Sequence, residues 1–181
     1  MQFLAIFPGS IKSKKVIKII VTGPESSGKS SLCKIISKHF KIPYAKEYAR
    51  EYLNTLTHRT YQKEDLLKIA RGQFKSEKNA QLLDTDLITI KIWSEYKYGS
   101  CNKWILEKIK QQKTDDRLYF LCKPDIEWRA DPLRENPKDR MKLFKLFQNE
   151  LNDTGHDYTI IDGKDRELKA IKKISQKKLL F

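Results

Sequence analysis

The residues best equipped for chemistry in this sequence are Gly23-Pro24-Glu25-Ser26-Ser27-Gly28-Lys29-Ser30, the spacing G-x-x-x-x-G-K-S. Glycines at those positions let backbone N–H groups turn inward around phosphate oxygens, and a helix starting near Lys29 points its positive end at the same anion. Gly23, Glu25, Ser26, Ser27, Gly28, Lys29, Ser30 and Ser31 are therefore the candidate nucleotide-binding residues. Lys29 is expected to reach the β- and γ-phosphates, and the Ser30 hydroxyl to ligate a magnesium ion that bridges phosphate oxygens. Ser31 could reach the α-phosphate. A chance glycine-rich turn would lack the flanks seen here: the apolar run Val16-Ile17-Lys18-Ile19-Ile20-Val21 before it, and Leu32, Ile35, Ile36 and Phe40 at helical spacing after it.

A phosphate site of this kind needs an acid beside it. Ala80-Gln81-Leu82-Leu83-Asp84-Thr85-Asp86 is a short apolar run ending in two carboxylates, the pattern of a buried strand with a magnesium-holding Asp at its carboxyl end. Asp84 fits best and Asp86 is the second candidate; a helix N-cap role is the alternative for one of them, and both can hold at once. Glu47, Arg50 and Glu51 fall on neighbouring helical positions after a short extended piece at Ile42–Ala45. In open α/β sheets ligands bind beyond the carboxyl ends of strands, although a solvated helix face has the same spacing. Between Pro124 and Arg140 lie Trp128, Arg129, Asp131 and Arg134, on a polar connection with further prolines. Grouped arginines in such a place suit a lid that neutralises charge on a phosphoryl group in transfer. The alternative for that stretch is a solvated loop.

The elements that must position these groups follow from periodicity. Helical patterns cover Tyr61–Asn79, Leu87–Tyr98, Trp104–Lys110, Arg140–Leu151 and Arg166–Leu180, and strand patterns cover Arg117–Cys122 and Tyr158–Asp162. Strands alternating with helices predict one α/β domain with a central parallel sheet of about five strands, of the P-loop NTPase class. At 181 residues and 39% hydrophobic, the chain suits one such domain and not two. Residues 1–14 read as a loosely held extension, with the domain proper at 15–181 and an arginine-containing lid at about 124–140.

The net charge of +14 and pI near 9.6 raise the question of nucleic acid. The excess is spread as single lysines and short pairs with no base-stacking aromatic motif, so a solvated basic surface is expected and no specific nucleic-acid partner. The apolar piece Phe3–Phe7 is too short to span a membrane and has no positive segment before it, which predicts a cytoplasmic protein without membrane association. Cys33, Cys101 and Cys122 are too far apart for metal-ligand spacing and read as reduced thiols. His39, His58 and His156 are equally scattered. Oligomeric state and ATP-versus-GTP preference leave no mark in the sequence.

Several blocks together, G-P-E-S-S-G-K-S, E-Y-A-R-E-Y-L, D-T-D-L-I-T-I-K-I-W, P-D-I-x-W-x-x-D-x-L-R and I-I-D-G, resemble the ribosylnicotinamide kinase domain of NadR-type proteins, a P-loop small-molecule kinase family. They occur in the family's order from Lys15 onward. The resemblance implies magnesium-dependent transfer of the ATP γ-phosphoryl to the 5′-hydroxyl of nicotinamide riboside. It places Lys29, Ser30 and Asp84 at ATP and metal, Glu47, Arg50, Asp86 and Trp128 at the nucleoside, and Arg134 in the lid, with Arg129 or Arg140 as its partner. Tyr44, Tyr48, Trp93 and Trp128 are the candidate aromatic walls for the cationic ring.

The chain departs from the family's pattern at Lys46, where a tryptophan is expected, at Glu127, where a proline is usual, and at Pro132, where a glycine is usual. It has no H-x-G-H adenylyltransferase motif and no room for a DNA-binding domain, so it is not expected to make the dinucleotide. The alternatives are another nucleoside or nucleotide kinase, and a P-loop regulatory ATPase with no small-molecule acceptor.

Overall fold

In a computed structural model, residues 17–56 and 61–177 are described. The extension expected at residues 1–14, together with His58 and the last residues of the C-terminal helical pattern, lies outside them. Strand β1 (Lys18–Thr22) is buried from its second residue onward and runs straight into the phosphate-binding loop. Helix α1 (Lys29–Phe40) follows, entered through Gly28 at φ 86° and left through Lys41, also left-handed.

The rest of the chain alternates as the periodicity requires. In order come β2 (Tyr44–Ala45), α2 (Tyr48–Asn54), α3 (Lys63–Ser76), β3 (Leu82–Asp84), α4 (Leu87–Tyr98), α5 (Lys103–Gln112), β4 (Arg117–Cys122), α6 (Arg140–Thr154), β5 (Asp157–Ile161) and α7 (Arg166–Gln176). The helix expected over Tyr61–Asn79 is shorter. Its first turn is fixed by Gln62, whose backbone N–H donates to Asp65 at 2.9 Å, and its last residues tighten into a 3₁₀ turn at Glu77–Asn79.

The sheet is five-stranded and wholly parallel in the order β2-β3-β1-β4-β5. Side chains alternate across it. Ile20, Leu83, Tyr119 and Leu121 face a core shared with α2 to α6, whereas Ile19, Val21, Leu82 and Phe120 face α1 and α7. With helices on both faces, the central strands must be apolar throughout, which is why β1 and β4 read as continuous runs.

Two consequences position the site. The chain passes from β1 over β3 to β2, returns to β3, and then crosses β1 to reach β4, so the direction of winding reverses and a crevice opens beyond the carboxyl ends of these strands. The register also sets Val21 opposite Asp84, which puts that acid next to the start of the phosphate loop. Gly23, at φ 131°, passes so close to β4 that an added Cβ would sit 2.6 Å from the Cys122 carbonyl oxygen; no larger residue fits.

Candidate active site

The loop is built from its own short hydrogen bonds. Ser27 Oγ and Lys29 Nζ both donate to the Pro24 carbonyl at 2.8 Å, and Ser26 takes a left-handed φ of 51°. Lys29 is thus held at the mouth of the loop and not in the core. Against it stands Asp84, 3% exposed. Burial pushes its carboxyl upward, while hydrogen bonding from Ser30 and the charges of Lys29, Arg50 and Lys34 draw it back. Asp84 Oδ1 is buried with no hydrogen-bond partner. An acceptor oxygen left open beside a serine hydroxyl is the donor set that a magnesium ion with its waters uses, so Ser30 and Asp84 fit that ion. Among the described residues no larger cluster of His, Cys, Asp and Glu could hold a metal.

Helix α2 brings Glu47 and Arg50 to the same opening, where they line a cavity of about 110 Å³ together with Glu25 to Ser31, Trp93 and Arg134. Burial raises the Glu47 carboxyl; Lys29 opposes this and Asp84 adds to it. The two carboxylates therefore share one field with the loop lysine.

The connection from Ile126 to Arg140 lies over the loop. Glu25 accepts the backbone N–H groups of Glu135 and Asn136 at 3.1 and 2.9 Å, Ser26 Oγ accepts that of Arg129 at 2.9 Å, and Arg140 donates to the Ser26 carbonyl at 3.2 Å. Arg50 pairs with Asp131 at 3.0 Å, tying α2 to the same segment. From the other side Arg166 donates to the Ser27 carbonyl at 2.9 Å and pairs with Asp125 at 3.2 Å. Sequence reasoning missed Arg166, which belongs to no motif and reaches the loop only because β5 lies beside β4.

Two further cavities share walls with the first. One, of about 370 Å³, is lined by Ile35, Ile126, Arg129, Arg134, Ile161 and Arg166. The other, of about 300 Å³, continues past Glu25, Trp93 and Leu133 to Tyr61, Tyr96, Lys97 and Glu135. The loop thus sits between a half-apolar pocket flanked by arginines and an aromatic one flanked by carboxylates. Tyr61, Tyr96 and Glu135 were not among the sequence candidates, since each comes from a different element.

Two of the sequence-based site residues expected at the nucleoside lie outside these cavities. Asp86 is fully buried beneath the sheet: it caps α4 by accepting the Ile88 N–H at 3.1 Å, takes the Tyr119 hydroxyl at 2.6 Å, and pairs with Arg117 at 3.4 Å. It lines none of these cavities, because Thr85, at φ 70°, turns the chain between the two acids. Trp128 likewise lines none of them; its ring lies under the guanidinium groups of Arg134 and Arg140, at 6.0 and 5.7 Å. Of the proposed aromatic walls only Trp93 lines these cavities. Tyr48 packs against α3, and Lys46 is exposed.

A phosphate loop at the carboxyl end of the central strand, an acid on the neighbouring strand and an arginine-bearing segment above define a P-loop domain. The chain belongs to the family described as an AAA domain, whose model matches residues 18–168. It is homologous to the "Trifunctional NAD biosynthesis/regulator protein NadR". The Escherichia coli K12 protein is 25% identical over 94% of this chain and 44% of its own length; that of Salmonella typhimurium LT2 is 29% identical over 82% and 38%. The chain therefore spans less than half of either curated relative. Among solved structures, a NadR protein in complex with NR superposes with a TM-score of 0.69 at 20% identity, covering 90% of this chain and 50% of that one. A deoxyadenosine kinase from M. mycoides with bound dCTP gives 0.58 at 15% identity, covering 88% and 98%. These likenesses show the fold. No helix among the described residues is long and apolar enough to cross a membrane.

Proposed function

We propose that this chain transfers the γ-phosphoryl group of ATP to the 5′-hydroxyl of a nucleoside, and that the nucleoside is nicotinamide riboside. One observation carries the reading: the loop cavity opens on one side into the arginine-flanked pocket and on the other into the aromatic one, a site each for donor and acceptor. The homologous NadR proteins, together with the solved NadR protein in complex with NR, support the choice of acceptor.

In this mechanism the acceptor oxygen attacks the γ-phosphorus as the bond to the β-phosphate oxygen breaks, leaving ADP. Lys29 binds the β- and γ-phosphates, and Arg134, which lines both the loop cavity and the donor pocket, meets charge spreading onto the equatorial oxygens. Asp84 accepts the hydrogen bond of the attacking hydroxyl and takes up its proton; its raised carboxyl suits that task. Glu47 holds the ribose diol, and the Glu25-to-Asn136 tie keeps the segment above the loop in place against water. A magnesium ion at Ser30 and Asp84 would supply charge neutralisation at the phosphates.

A different nucleoside has one observation in its favour. The Lys97 ammonium lies 4.0 Å from the centroid of the Tyr61 ring and pairs with Glu135 at 2.8 Å, the two partners a cationic ring would seek in that pocket. A neutral base would leave this pair intact. The test is ATP consumption with Mg2+ and a panel of nicotinamide riboside, adenosine, uridine and thymidine, in the wild type and in Lys97→Gln. Nicotinamide riboside should be preferred, and more so in the variant. Preference for an ordinary nucleoside would overturn the nicotinamide assignment alone, and slow ATP hydrolysis indifferent to every acceptor would favour a regulatory ATPase.

A further inference from the structure

We infer that Gln73, a buried residue of α3 in no catalytic motif, is a positioning residue that frees the Glu47 carboxylate for the acceptor and sets its distance from Asp84. Gln73 is 1% exposed, and both ends of its amide are used. Its Oε1 accepts the Tyr48 backbone N–H at 2.9 Å, and its Nε2 donates to the Thr85 carbonyl at 3.1 Å. Tyr48 directly follows Glu47; Thr85 directly follows Asp84. One side chain therefore spans the two turns that carry the two candidate site carboxylates.

The chemistry of helix starts gives the contact its meaning. The first N–H groups of a helix have no partner within it, and a residue in the N-cap position ordinarily supplies one from its own side chain. Glu47 is the N-cap of α2, yet its side chain makes no capping bond. It lines the loop cavity instead, and Gln73 satisfies the first N–H from a different helix. At the other end, Thr85 holds a left-handed φ of 70° between its N–H, which donates to Val21 at 3.0 Å, and its carbonyl, which Gln73 grips.

The preceding residue supports the same docking. Gly72 sits in the middle of α3, and a Cβ added there would lie 2.0 Å from the Tyr48 ring. The glycine makes room for the aromatic face of α2, and the glutamine then fixes its backbone. The inference rests on the nucleoside-kinase reading, because it assigns Glu47 to the acceptor.

A double-mutant cycle tests it, using the acceptor that the wild type prefers. Gln73→Leu should raise the acceptor KM roughly tenfold while the ATP KM stays within about twofold, and in a Glu47→Ala background the same change should add less than about twofold. Gly72→Ala, which pushes on Tyr48 from the neighbouring position, should give the same acceptor-selective signature, so the test survives if Gln73→Leu does not fold. Equal losses for ATP and acceptor, or the same fold-change in both backgrounds, would overturn the inference while sparing the kinase. A wild type that phosphorylates no nucleoside would instead overturn the kinase reading and this inference with it.

Discussion

The Glu25 carboxylate accepts the backbone N–H of Asn136 at 2.9 Å, so the phosphate loop and the segment above it are joined by a charged acceptor. The adjoining Glu135 N–H donates to the same carboxylate at 3.1 Å. Hydrogen bonds to an ionised partner contribute about 1.5–3 kcal/mol each. Glu25→Gln keeps the shape and removes the charge, which should loosen the segment and admit water. The expected outcome is a several-fold rise in acceptor-independent ATP hydrolysis, read by phosphate release without nucleoside.

Lys29→Ala should abolish phosphoryl transfer and leave the fold intact, because among the described residues the ammonium donates to the Pro24 carbonyl at the loop's mouth and not into the core. Losing one preorganised charge partner costs at least about 100-fold in kcat. Turnover at the wild-type rate by a variant with an unchanged melting curve would remove the loop from the mechanism.

Asp84 and Asp86 should separate cleanly. Asp84→Asn is expected to lose most activity, with the defect greatest at limiting Mg2+, while stability changes little. Asp86→Asn breaks the buried pair with Arg117 and weakens the cap of α4, and should destabilise by on the order of 3 kcal/mol in urea unfolding. Intact stability in Asp86→Asn with lost Mg2+ dependence would reverse the roles.

Glu77 gives the fold a pH dependence. It is buried against Arg117 at 3.0 Å, and burial raises its carboxyl to about 7 although Arg117 pulls the other way. In the unfolded chain a glutamate titrates near about 4.3. The folded state therefore binds more protons between these values, and this contribution to stability, full below the lower value, is lost as pH rises through about 7. Urea midpoints from pH 5 to 8 should fall more steeply in the wild type than in Glu77→Gln. Parallel slopes would remove Glu77 from the titration.

What the sequence determined by itself was whatever depends on neighbours along the chain. The phosphate loop is one contiguous motif; the continuous apolar runs of β1 and β4 announce a sheet covered on both faces; and Asp84 ends a short buried strand. Spacing alone could not separate Asp84 from Asp86, because one left-handed residue, Thr85, decides which acid faces Lys29 and which faces Arg117. Nor could it assemble the aromatic pocket, whose Tyr61, Trp93 and Glu135 come from three separate segments, or the bracket in which Gln73 grips Tyr48 and Thr85. Those groups meet only when α2, α3 and α4 pack on one face of the sheet. There the buried Gln73 amide and Asp86 carboxylate find partners in other elements, and that pairing is a property of the packed core and not of any stretch of chain.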